Sequence, residues 1–65
     1  MERMPTYSRV RVVSDRYGSE DAPRGAVGYI VEVYTNGYEV EISDENGTTV
    51  FLGGVADRDV ELAPE

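Results

Sequence analysis

Glu32, Glu39 and Glu41 crowd around Tyr34 in the stretch VEVYTNGYEVEIS, Val31 to Ser43. Carboxylates at this density can move protons on a substrate or attract a basic protein surface. The first use needs company that the chain lacks. His and Cys are both absent, so the Ser residues have no base of the usual kind and no thiolate is available. Carboxylates alone can hydrolyse glycosides, but only across a cleft. A chain of 65 residues has little core to spare for one. Asp44, Glu45 and Asn46 lie close together in SDENG, yet without the spacing of a calcium loop; turn chemistry accounts for them. Gly53-Gly54 lacks the Lys and following helix of a phosphate loop. No catalytic residue, metal ligand or cofactor is expected, and the chain reads as a non-enzyme.

The elements that position the glutamates are strands. YSRVRVV alternates, with Val10 and Val12 on one face and Arg9 and Arg11 on the other. AVGYIVEVY is the longest candidate, and Gly28 inside it suggests a bulge or bend. YEVEIS alternates cleanly, TTVFL follows the DENG turn, and DVEL closes the chain. Gly47 suits a left-handed position in that turn. GGVADRD is expected to break the fourth strand, with one 3-10 turn at 56–59. Residues 14–25 form a long loop whose one bulky member is Tyr17. Five short strands with tight turns predict an all-β domain, a small SH3-like barrel over residues 7–63, because closure removes exposed edges. Residues 1–6 are expected to be a flexible lead.

Asn36-Gly37 predicts a two-residue turn, which would fix the register of the hairpin. Tyr34 would then face Glu39, Val33 would face Val40, and Glu32 would face Glu41. Tyr29, Val31, Val33, Tyr38, Val40 and Ile42 would form the core face. Ile30, Glu32, Tyr34, Glu39, Glu41 and Ser43 would face water. Like charges opposed across strands destabilise a sheet. Three accounts of the acidic strip stand side by side: solvated residues that keep the chain soluble and block edge pairing, charges neutralised by Arg9 and Arg11, or a docking surface anchored by Tyr34.

The whole-chain charge bears on the choice of partner. Six cations, all Arg, oppose thirteen acids for a formal charge of −7. Nucleic acid and anionic membrane both demand a basic surface, so neither is expected as a partner. Five tyrosines could stack on bases, but no basic residues interleave them. No apolar run reaches the length of a membrane-spanning helix and no signal pattern precedes Tyr7, so a cytoplasmic location is expected. A basic protein partner fits best.

RGAVGYIVEVY, then YEVEISDENGTTVFL, then VADRDVEL resembles the small bacterial domain family of unknown function numbered 4926. The likeness covers residues 8–62 and rests chiefly on the middle segment; GGV at 53–55 departs from it, so the fourth strand is expected to end early. The resemblance implies an SH3-like barrel. Its layout is similar to small accessory barrels of electron transfer, such as the E subunit of photosystem I, which dock rather than catalyse. Family members resemble free-standing acidic proteins sometimes encoded beside toxin-like genes, which implies an antitoxin or immunity role. No site residue follows from the resemblance.

The expectation is therefore a non-catalytic, acidic protein-binding module that docks on a basic partner, such as a toxin. Glu32, Glu39 and Glu41 would supply charge and Tyr34 the anchor, with Asp15, Tyr17, Glu20 and Asp21 of the long loop extending the surface. An accessory subunit that positions a larger enzyme, and a nucleic-acid-binding barrel, are the alternatives.

Overall fold

The computed structural model describes residues 3–64. Its strands are β1 (Arg9–Val12), β2 (Val27–Val33), β3 (Gly37–Ser43), β4 (Thr49–Ala56) and β5 (Val60–Leu62). All five are antiparallel in one sheet of order β4-β3-β2-β1-β5. Single 3-10 turns occupy Gly18–Glu20 and Asp57–Asp59, the second at the position expected before the last strand. The all-β class and the strand count match the sequence reading, and the strand order is consistent with an SH3-like arrangement.

Alternation places the core. Val10 and Val12 of β1 are buried, while Arg9 and Arg11 are half-buried on the other side. Val40 and Ile42 of β3 meet Phe51 and Val55 of β4 on the same inner face. The long loop packs onto this core through Ala22, fully buried, and Tyr17, whose ring lies 6.3 Å from that of Phe51. At the N-terminal lead, Met4 packs against the core and its N–H donates to Tyr38 Oη at 3.2 Å.

The β2–β3 register departs from the expected one. Val33 pairs with Tyr38 and Glu32 with Glu39, so Glu32 does not face Glu41. The cause lies at Gly37. It does not adopt the positive φ that an Asn-Gly turn would use; the glycines that do are Gly25 and Gly47. Gly37 instead opens β3 pressed against β4, where a Cβ would stand 2.2 Å from the Val55 carbonyl oxygen. The connection is longer than two residues, and the Tyr34 N–H donates to Gly37 O at 2.9 Å. Arg3 stitches this loop shut, donating to the Tyr34 and Gly37 carbonyls with its guanidinium 4.7 Å from the Tyr38 ring centroid.

This first shift is by two residues, and an even shift preserves faces. Val33 and Tyr38 therefore still point inward, with Glu32 and Glu39 outward. A bulge between Ile30 and Glu32 then adds one more residue, and beyond it Tyr29 pairs with Glu41 and Ile30 with Val40. An odd shift exchanges the faces: Ile30 is fully buried and Tyr29 lies outside, the reverse of the expected assignment. The bulge lets Ile30 and Val33, three positions apart, both face the core, which strict alternation forbids. Burying a side chain of that size contributes roughly 1.5–3 kcal/mol, enough to fix the face.

Three further expectations are corrected. The bulge is not at Gly28; that glycine admits the neighbouring strand, since a Cβ there would come 2.4 Å from Glu41 O. GGV does not break β4, which runs on to Ala56. Gly53 is the inward residue beneath Phe51, whose Cζ would lie 3.2 Å from a Cβ, so the missing side chain makes room for the ring. Tyr7 is not a strand residue: its φ is +74°, in a turn that Ser8 closes by donating to Pro5 O at 3.1 Å.

Candidate functional site

The outer face of β2, β3 and β4 carries two cross-strand rows. Tyr29, Glu41 and Leu52 form one; Glu32, Glu39 and Gly54 form the other. Tyr34 leaves β2 beside the second row, and its hydroxyl donates to Glu39 Oε1 at 3.2 Å. The strip expected from the sequence thus exists, with Glu32, Tyr34, Glu39 and Glu41 on one surface. Its composition differs, because Tyr29 and Leu52, 46% and 59% exposed, flank Glu41 where Ile30 was expected.

Electrostatics there are one-sided. Desolvation, then the hydrogen bond to Glu39 and the charges of Glu39 and Glu32, hold the Tyr34 phenol above its ordinary pKa. Glu41 accepts a bond from Thr49 Oγ1 at 2.8 Å. Arg9 and Arg11 form no ion pair with the strip. Arg11 pairs with Glu61 at 2.7 Å, and Arg9 donates to Ala63 O at 2.7 Å. Arg3, Arg16 and Arg24 pair with Asp57, Asp59 and Asp15. Among the described residues, no ion pair reaches Glu32, Glu39 or Glu41. Glu32 against Glu39 costs a fraction of a kcal/mol, up to about 1.

The loop candidates sit apart from this strip, with no hydrogen bond or ion pair to it among the described residues. Asp15 is exposed and receives Arg24 Nε at 3.1 Å; that bond and the guanidinium charge lower its pKa. Glu20 is exposed in the 3-10 turn, and Asp21 follows it with φ +68°. Tyr17 points inward: its hydroxyl donates to Asp59 Oδ2 at 2.6 Å and accepts the Ala56 N–H at 3.1 Å. Burial first, and the Asp59 bond second, raise its pKa. Asp59 is a buried carboxylate that the sequence reading missed. Its signal was indirect: a lone bulky Tyr in a polar loop needs a partner for its hydroxyl.

Asp44 serves its turn, with Oδ1 accepting the Asn46 and Thr48 N–H groups at 2.9 and 3.0 Å, and Gly47 takes φ +83° as expected. Among the described residues there is no cluster of Asp, Glu, His or Cys able to hold a metal, and no helix long and apolar enough to cross a membrane.

A single antiparallel sheet, held by a Tyr–Asp anchor and bearing an acidic strip that no ion pair reaches among the described residues, defines a small all-β module. The chain belongs to the family described as Domain of unknown function (DUF4926), whose model matches residues 7–61. No curated protein and no solved structure matches the chain significantly.

Proposed function

We propose that the protein is a non-catalytic binding module whose acidic sheet face docks on a basic surface of a partner protein, in the manner of an antitoxin or immunity protein. One observation carries this reading. No described ion pair reaches Glu32, Glu39 or Glu41, and even Arg3, which donates to the Tyr34 carbonyl, pairs with Asp57, so the three carboxylates stand together at some cost to the sheet. Tyr34 and Tyr29 supply aromatic contact area beside that charge at low entropy cost. Complementary charge of this kind steers fast association that weakens with salt.

The accessory-subunit reading draws on a different feature, the exposed Leu52 and Tyr29 on the same face. Side-by-side capture from the native cell, with the parent chain and the Glu32→Lys, Glu41→Lys variant, separates the two. A basic protein held by the parent and lost by the variant is the expected result. A partner held equally by both chains contradicts the acidic-face reading.

A further inference from the structure

The sheet ends in two edge strands, β4 and β5. β5 is three residues long and carries Glu61. Short length and charge are the usual protection of an edge. β4 has neither: its eight residues, TVFLGGVA, include no charge and no Pro.

The backbone direction along β4 follows from two bonds. Asp57 N–H donates to Asn36 O at 3.2 Å, which makes Gly37–Ala56 a non-hydrogen-bonded pair. Ala56 N–H indeed turns away from β3, to Tyr17 Oη. By alternation, Glu39–Gly54 and Glu41–Leu52 are non-hydrogen-bonded pairs too. The N–H and C=O of Leu52 and Gly54 therefore point to the open edge. Among the described residues nothing bonds to them.

Gly54 adds a second property. The nearest atom to a Cβ at Gly54 would be Glu39 Oε1, at 3.9 Å. The Glu39 carboxylate thus lies beside a position with no side chain to screen it from the edge. A strand added to β4 would run roughly 5 Å away, within reach of a long cationic side chain. A shallow depression lined in part by Tyr34, Gly54 and Val55 lies alongside.

We propose that the free edge of β4 accepts an extended, basic segment of the partner protein as an added strand. Its backbone bonds to Leu52 and Gly54, and an Arg or Lys opposite Gly54 pairs with Glu39. This deepens the docking reading and rests on it for the sign of the partner's charge. A second copy of the chain fits less well, since each copy carries −7.

The test uses a capped peptide of about seven residues alternating Arg and Val, the length of an ordinary strand. It is titrated into the full chain and into a synthetic chain carrying Gly54→N-methylglycine, which removes one edge donor and no internal bond. Amide exchange at Leu52 and Gly54 is followed by NMR. The proposal expects both amides to exchange fast in the free chain and slowly with peptide. It expects the N-methyl chain to bind roughly tenfold more weakly, and Glu39→Gln about threefold more weakly.

Absence of peptide binding overturns the proposal. Binding that ignores the N-methyl group and leaves both amides unprotected, yet is lost in Glu32→Lys, Glu41→Lys, overturns the edge and keeps the acidic face. Protection of both amides with no change in Glu39→Gln overturns the basic segment. Concentration-dependent protection without peptide assigns the edge to a second copy and also overturns it.

Discussion

Glu32 and Glu39 stand directly opposite one another on adjacent strands, and no described arginine pairs with either. A sheet that keeps such a pair gives up stability that one substitution would restore. Glu32→Lys should raise stability by about 0.2–1 kcal/mol in urea unfolding at low salt. The gain should shrink at high salt, where exposed charges are screened. An unchanged or lower stability at low salt would show that the two carboxylates do not repel.

The Tyr17–Asp59 hydrogen bond joins the long loop to the turn before β5. Tyr17→Phe leaves the buried Asp59 without that donor and should cost roughly 1–3 kcal/mol. It should also alter the alkaline limb of the stability curve. The Tyr17 hydroxyl titrates above its ordinary value of 10.0 in the folded chain. The folded chain then keeps a proton that the unfolded chain has lost. Below about pH 10 the contribution is complete, and it is lost as pH rises through the raised folded value. Urea midpoints taken across that window should fall more steeply for the parent than for Tyr17→Phe.

Two glycines of the β3–β4 ladder should respond unequally to a methyl group. Gly37→Ala drives a Cβ into the Val55 carbonyl and should cost about 1–3 kcal/mol. Gly54→Ala meets nothing closer than 3.9 Å and should change stability by no more than about 0.5 kcal/mol. Equal costs in thermal unfolding would contradict the close approach at Gly37.

Arg3 ties the lead of the chain to the β2–β3 connection through two carbonyls, Asp57 and the Tyr38 ring. Arg3→Ala should lower stability by about 1 kcal/mol. Amide exchange should quicken at residues 34–37 while the middle of β3 stays protected. Uniform loss of protection would mean that Arg3 supports the whole sheet rather than this loop.

Much of the fold is legible because it is local. Val10 and Val12 alternate with Arg9 and Arg11, Asp44 and Gly47 announce their turn, and the residues before Val60 make a 3-10 turn. What escapes a sequence reading depends on contacts between strands. Asn36-Gly37 has the composition of a tight turn, yet Gly37 is spent on close approach to β4. Nothing local marks the bulge before Glu32, so Tyr29 and Ile30 exchange faces. Gly53-Gly54 reads as a break until Phe51 is seen above Gly53. The glutamates survive these errors because an even register shift keeps Glu32 and Glu39 outward, while Glu41 stays outward with its own strand.

The docking face is tested most directly by the affinity of parent and Glu32→Lys, Glu41→Lys chains for the captured basic partner, measured at low and high salt. These substitutions leave the edge amides of Leu52 and Gly54 in place, remove the Thr49 Oγ1–Glu41 bond and set a Lys opposite Glu39. The expected result is a parent affinity that falls with salt and a loss of roughly tenfold or more in the variant at low salt. Equal affinity in both chains, with no dependence on salt, would mean that the acidic strip only keeps the protein in solution.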